Sequence, residues 1–387
     1  MKIKKQNPLK YDTRLLHETG AKEPSTGALS IPIFNASTYA QDDVNKRQPF
    51  DYSRSGNPTR QALEETLASL ENGTNAYAFA SGMAAISSAL MAVLKQGDHI
   101  VIAQDIYGGT YRFVTKFLVK YGITHTFVDT TNLQNIEKAI LPETKVLYIE
   151  TPSNPLLKIT DVEGAVKIAR WHKLITIIDN TFLSPYLFRP LDLGVDIVVH
   201  SATKFLGGHS DVIAGAVITA TEELGHEVYN VQNTCGAVLG PNDSWLLLRG
   251  IKTLGARIKA QQQTASQLAF KLREQKWVSK VYYPGLPDHP GHDIMAAQAD
   301  GFGAVLSIET DSLERTSKIM KNVKIWTVAV SLGGVESILS YPAKMSHAAM
   351  PAEERLKAGI TDNLIRLSPG LEDVSDLLDD LCRSAEG

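Results

Sequence analysis

Between about residues 60 and 220, apolar runs of strand length alternate with longer stretches of helical period, and few architectures accept that order. The runs fall at 76–80, 99–103, 124–129, 145–150, 174–179, 195–200 and 214–219. Several are apolar on both faces, as strands covered on both sides by helices are. Helical stretches lie between them at 82–94, 110–120, 135–140 and 161–172. Repeated β-α-β units of this kind predict an α/β fold with a mostly parallel, doubly wound sheet. Beyond 239–242 a long helical stretch over 244–275 leads into a different mixture. Strands are expected there at 278–283, 303–309, 325–330 and 364–368, with helices at 312–321 and 372–381, as in a smaller α+β domain.

The 387 residues suit two or three domains on a prior of roughly 150 residues each. The expected divisions are 1–59, 60–243 and 244–387. The first is rich in breakers (Pro24, Gly27, Pro32, Pro49, Gly56, Pro58) and has no core of its own to join. Lys and Arg number 39 against 42 Asp and Glu, a net charge of −3. A nucleic-acid partner held by bulk electrostatics is therefore excluded. Cys235 and Cys382, the only cysteines, allow neither a disulfide framework nor a cysteine zinc site. The charged start has no apolar stretch after it, and no apolar run approaches membrane-spanning length. A soluble, cytoplasmic protein without a membrane partner is expected.

In open α/β sheets ligands bind outside the carboxyl ends of the strands. After the expected strands come Ser81-Gly82-Met83 opening a helix, Tyr107-Gly108-Gly109, Asn154-Pro155, Asp179 itself, and Ser201-Ala-Thr203-Lys204. Free N–H groups at Gly82 and Met83 suit a phosphate, and the hydroxyls of Ser201 and Thr203 would add donors. An enclosed lysine loses its charge readily and attacks carbonyls. An aspartate ending a buried strand keeps a heterocyclic nitrogen protonated. Phosphate, aldehyde and pyridine nitrogen together describe pyridoxal 5′-phosphate. Singly, each residue also has a plain reading as a surface lysine, a cap or a turn. Their convergence on one chemistry carries the argument.

These residues resemble the Cys/Met-metabolism PLP-dependent enzymes, which include cystathionine β-lyases, cystathionine γ-lyases, cystathionine γ-synthases and methionine γ-lyases. The resemblance runs through Tyr52-Ser-Arg-Ser-Gly-Asn-Pro-Thr-Arg60, Ser81-Gly-Met83, Tyr107-Gly-Gly-Thr110, Glu150-Thr-Pro-Ser-Asn-Pro155, Asp179-Asn-Thr-Phe182, Ser201-Ala-Thr-Lys204, Ser331-Leu-Gly-Gly-Val-Glu-Ser337 and Leu364-Ile-Arg-Leu-Ser368. It implies a fold-type I, aspartate-aminotransferase-like subunit and a homotetramer of two catalytic dimers. Lys204 would hold the cofactor as a Schiff base and take the substrate's Cα proton. Asp179 would pair the pyridinium, and Gly82, Met83, Ser201 and Thr203 the phosphate. Tyr52 and Arg54, on the N-terminal arm, would reach the phosphate of the neighbouring subunit. Tyr107 would stack on the ring and assist proton transfer. Arg366 would take the substrate carboxylate, with Asn154 and Ser331 nearby.

Within the family the resemblance favours a β-lyase acting on cystathionine, with a γ-lyase next and a γ-synthase or sulfhydrylase behind. Gly109 stands where methionine γ-lyases carry a cysteine, Glu336 would receive a distal ammonium, and the 338–351 stretch resembles bacterial β-lyases. Other classes fit worse. Gly301-Phe-Gly303 lacks the third glycine of a dinucleotide fingerprint, no nucleotide phosphate loop is present, and His289-Pro-Gly-His292 lacks further metal ligands.

Overall fold

The computed structural model describes residues 9–18, 23, 25–43, 45–46, 48–348 and 350–386; the charged first eight residues lie outside them. A seven-stranded sheet is built from β1 (Asn75–Phe79), β2 (His99–Ala103), β3 (Thr124–Val128), β4 (Thr144–Glu150), β5 (Ile175–Asp179), β6 (Ile197–His200) and β7 (Gly215–Thr219). Their order is β1-β7-β6-β5-β4-β2-β3. All neighbours run parallel except β7, which is antiparallel to both β1 and β6. Period-two alternation divides the side chains between two cores. Val101, Leu147, Ile149, Ile178 and Val198 face one layer of helices. Ile100, Ile102, Val146, Tyr148, Ile177 and Val199 face the other, which includes the helix Gly82–Val93. Strands buried on both faces explain why the runs read as continuously apolar.

The smaller sheet comprises β8 (Val278–Tyr282), β9 (Leu306–Thr310), β10 (Thr327–Val328), β11 (Ile338–Ser340) and β12 (Leu364–Ser368), in the order β10-β11-β12-β9-β8. A third core lies between it and the helices Leu254–Arg273, Leu313–Asn322 and Val374–Glu386. Among the described residues no helix is long and apolar enough to cross a membrane.

Local departures from the sequence expectations have physical causes. The helix expected over 244–275 is two helices, Pro241–Ile251 and Leu254–Arg273. The carbonyl of Gly250 accepts from the hydroxyl of Thr253 and the guanidinium of Arg257, which draws it out of the helical ladder. The helix expected over 110–120 is a short helix, Gly108–Arg112, followed by a π-helical turn and a 3-10 turn that Gly122 ends at φ 71°. The strand expected over 325–330 pairs only at Thr327–Val328. β11 was not expected; three residues are too few to show a period.

The N-terminal stretch is not all arm. The helix Tyr11–His17 packs on its own chain, with Leu15 buried and the Tyr11 hydroxyl donating to Leu70 O at 2.9 Å.

Candidate active site

The carboxyl ends of β2, β4, β5 and β6 and the start of the helix Gly82–Val93 form the floor of a cavity of about 440 Å³. Ser81 caps that helix, its hydroxyl accepting from Ala84 N at 3.0 Å. Helix geometry leaves the N–H groups of Gly82 and Met83 outside the ladder, and both residues line the cavity. Only glycine fits at 82: a Cβ there would stand 2.8 Å from the Cβ of Ser201. The same close approach brings Ser201 beside the helix start.

Lys204 follows β6 in a loop clamped at its base. Thr203 N donates to Ala214 O at 3.2 Å, the Thr203 hydroxyl donates to the same carbonyl, and Ala214 N donates back to that hydroxyl at 3.0 Å. Thr203 therefore spends its hydroxyl proton on the loop. The Lys204 ammonium donates to Ser331 Oγ at 2.6 Å. Burial, and then the positive Arg366, bring the amine down to about 8. At the end of β5, the backbone N–H and hydroxyl of Thr181 both donate to Asp179 Oδ1. Burial raises the Asp179 carboxyl above the usual carboxylate range. Its register partner on β4 is Glu150, whose Oε2 accepts from Tyr107 N at 2.8 Å. Burial and the neighbouring Asp179 push the Glu150 carboxyl well upward.

The opposite wall belongs to the smaller sheet. Arg366, on β12, is buried; it donates to Asn154 Oδ1 at 2.9 Å, to Ser331 O at 2.7 Å and to Ser340 Oγ at 3.1 Å. Its Nε has no partner among the described residues. Burial lowers the guanidinium to about 10. Ser331 sits at φ 88°, a left-handed backbone that a β-carbon resists. Arg366 on its carbonyl and Lys204 on its hydroxyl hold it there. His347, also buried, bonds Ser346 Oγ at 2.9 Å, and burial, then the positive Arg366, push it down to about 4.

Lys204, Asp179, Tyr107, Gly82, Met83, Ser201, Thr203, Asn154, Ser331 and Arg366 are thus brought to one cavity. Three expected residues are not. Glu336 is exposed, accepting from Ser210 at 3.2 Å, outside the lining. Tyr52 and Arg54 are exposed as well, Arg54 lying over the Tyr52 ring and donating to Asn233 O. Their loop is nonetheless braced from beneath. Buried Arg60 donates to Ser53 O and Arg54 O, and Asn57 caps the helix Pro58–Leu70 while its amide donates to Phe34 O.

The sequence reading missed Glu150, Ser340 and His347. An acid closing an apolar strand was the visible signal for Glu150. Ser340 and His347 carry none, since only the tertiary fold brings Ser340 to Arg366 and buries His347 within the arginine's field.

The family model of the Cys/Met metabolism PLP-dependent enzymes matches residues 12–386. The chain belongs to this family. Cystathionine beta-lyase MetC of Bacillus subtilis (strain 168) is 55% identical over 366 residues, 95% of this chain and 94% of that relative. Cystathionine gamma-lyase of the same organism is 51% identical over 378 residues, 98% of this chain and 100% of that relative. Among solved structures, cystathionine gamma-lyase from Lactobacillus plantarum complexed with L-serine matches with a TM-score of 0.95 at 47% identity, over 97% of this chain and 98% of its own. Cystathionine gamma synthase from Xanthomonas oryzae pv. oryzae, in complex with aminoacrylate and cysteine, gives 0.96 at 41% identity, over 98% of both.

The family's cofactor, pyridoxal phosphate, fits the residues present. The glycine-only approach of helix and Ser201 leaves a cradle of N–H groups for its phosphate. A buried carboxylate with both its donors on one oxygen has the other left for a protonated ring nitrogen. The lysine amine lies in the same cavity.

Proposed function

We propose that this enzyme is a cystathionine β-lyase, converting L-cystathionine and water to homocysteine, pyruvate and ammonia. The single observation that carries the reading is the 55% identity to a cystathionine beta-lyase across 95% of the chain. A γ-lyase, releasing cysteine and 2-oxobutyrate, is the second reading, favoured by the 51% identical gamma-lyase.

When bound, pyridoxal phosphate supplies an electron sink for the charge left at the substrate's Cα. The rest is work for this chain. Arg366 presents its fork to the substrate carboxylate, already oriented by Asn154, Ser331 O and Ser340. Lys204, with its amine near 8 and steered by Ser331, takes the Cα proton and returns protons in later steps. Tyr107, half-exposed at the mouth, serves the proton step at the leaving sulfur. Asp179 would hold its negative charge against the cofactor's ring nitrogen, and Gly82, Met83, Ser201 and Thr203 would hold the phosphate. For Thr203 that role requires its hydroxyl to turn from Ala214 O.

Gly109 supports the choice within the family. A Cβ there would stand 2.4 Å from the Tyr107 ring and 2.6 Å from Met83 Sδ, so a larger residue displaces both. We also propose a cytoplasmic homotetramer of two catalytic dimers, divided as 1–59, 60–243 and 244–387, in which Tyr52 and Arg54 reach the neighbour's phosphate. An exposed aromatic–cation pair on a braced loop is what service to another subunit requires. Glu336 would meet the distal ammonium only if substrate binding draws it from Ser210.

Product analysis with L-cystathionine tests the reading. Pyruvate with homocysteine is expected. Predominant 2-oxobutyrate with cysteine selects the γ-lyase, and neither product pair overturns both.

A further inference from the structure

A second cavity, of about 800 Å³, shares no lining residue with the catalytic one. Its sides are the segment after β3 with residues 156–159, and β8 with the 288–291 loop. It therefore straddles the two sheets, and its volume falls within the range of small-molecule sites. Leu156, Ile159, Val281 and Leu286 give it an apolar lining. Polar groups on that lining are mostly cationic or donors. Arg273 and Asp288 neutralise each other through paired bonds of 2.9 Å. Asp129 turns one oxygen to the backbone and hydroxyl of Thr131. Lys280 makes no ion pair among the described residues and rests 4.5 Å from the Tyr282 ring centroid. Lys158 reaches Asp105 only at 3.7 Å.

His289, from the His-Pro-Gly-His motif, completes the set. Its Nδ1 accepts from Gly291 N at 3.1 Å, so its single proton sits on Nε2, a donor. Burial brings the ring down to about 4, so it stays neutral near pH 7. The motif's second histidine is structural: His292 donates to Pro284 O and stacks on Phe302. Among the described residues no cluster of ligands for a metal occurs.

We propose that this cavity binds a small organic anion with an apolar body, its charge taken by Lys280, Lys158 and the Nε2–H of His289. The site is coupled to the catalytic one. Asp105 is buried and burial raises its carboxyl, so it depends on Lys158 for its charge. Ser153 Oγ donates to Asp105 Oδ2 and accepts from Lys158 N, and the next residue, Asn154, holds Arg366. An anion that draws Lys158 from Asp105 loosens Ser153 and Asn154, and with them the grip on the substrate carboxylate. By linkage the anion and the substrate then weaken each other. This coupling rests on the proposed role of Arg366; the binding site does not.

Calorimetric titration of the holoenzyme with 1-naphthoate tests the site. One molecule per chain is expected, bound at least tenfold more weakly by Lys280→Glu and by His289→Phe, and equally well by Arg366→Leu. The neutral 1-naphthalenemethanol and inorganic phosphate should each bind at least tenfold more weakly than the naphthoate. Unsaturable binding, equal affinity in the Lys280 and His289 variants, loss in Arg366→Leu, or a phosphate or alcohol that binds as well as the acid overturns the proposal. Circular dichroism and cofactor absorbance of each variant exclude loss of fold. In the turnover assay naphthoate should raise the KM for cystathionine several-fold in the wild type and not in Lys280→Glu; an unchanged wild-type KM overturns the coupling. Absence of any cystathionine turnover overturns the proposed function instead and leaves the binding result standing.

Discussion

The two walls of the catalytic cavity are built on opposite plans. The cofactor wall is the edge of a sheet buried on both faces, and its polar groups are set by register: Glu150 faces Asp179 because β4 and β5 pair that way. The substrate wall comes from loops and short strands of the smaller sheet. There Val330 is 66% exposed, β10 has two residues, and Ser331 keeps a left-handed backbone through two bonds to its neighbours. The first wall draws its rigidity from packing, the second from hydrogen bonds that span the chain, such as Arg366 to Asn154.

The contrast can be broken by substitution. Lys204→Ala, at the meeting of the walls, should cut turnover by more than about 10³-fold and remove the borohydride-reducible chromophore. A variant that kept that chromophore would sink the assignment of Lys204. Arg366→Lys should lower kcat/KM by about 10²-fold, mostly through KM, with cofactor affinity unchanged, because an ammonium cannot reproduce the fork. Loss of cofactor in that variant would show that the walls are not independent. Gly82→Ala should do the reverse. Overpacking against Ser201 should weaken cofactor retention on dialysis about 10-fold, with KM for the substrate nearly unmoved. Ser340→Ala removes one of three acceptors around Arg366 and should raise KM roughly threefold.

The smallest effect concerns pH. Lys204 is lowered to about 8, so its neutral, nucleophilic form is lost as pH falls through that value. Cofactor uptake by the stripped protein, followed by absorbance, should therefore accelerate with a midpoint near 8. Arg366→Leu removes a positive neighbour and should move that midpoint upward, whereas Ser340→Ala should leave it in place.

Legibility in the sequence follows the same division. The large sheet could be read because strands covered on both faces leave apolar runs, and its ligand groups because they stand just after those runs. Gly82 and Lys204 meet that condition, and Asp179 closes its run. The substrate wall offered no period. Arg366 and Ser331 came from resemblance alone, and β11 was too short to register. Ser340 meets the arginine only through the tertiary fold. The break at residues 252–253 was hidden for a related reason, since the side chain of Arg257, a full turn later, takes the carbonyl that would have continued the helix.

The clamp between Thr203 and Ala214 has a kinetic consequence. A lysine that would release the cofactor to the substrate amine and later reclaim it can travel either with its loop or on its own stem. The ends of the 204–213 segment are fastened to each other by a backbone bond from Thr203 N to Ala214 O and a return bond from Ala214 N to the Thr203 hydroxyl, so the stroke falls to the four-carbon chain rather than to the loop. Side-chain rotations run in nanoseconds and loop openings orders of magnitude more slowly. The amides of Thr203 and Ala214 should therefore exchange with solvent equally slowly whether the lysine is engaged or free.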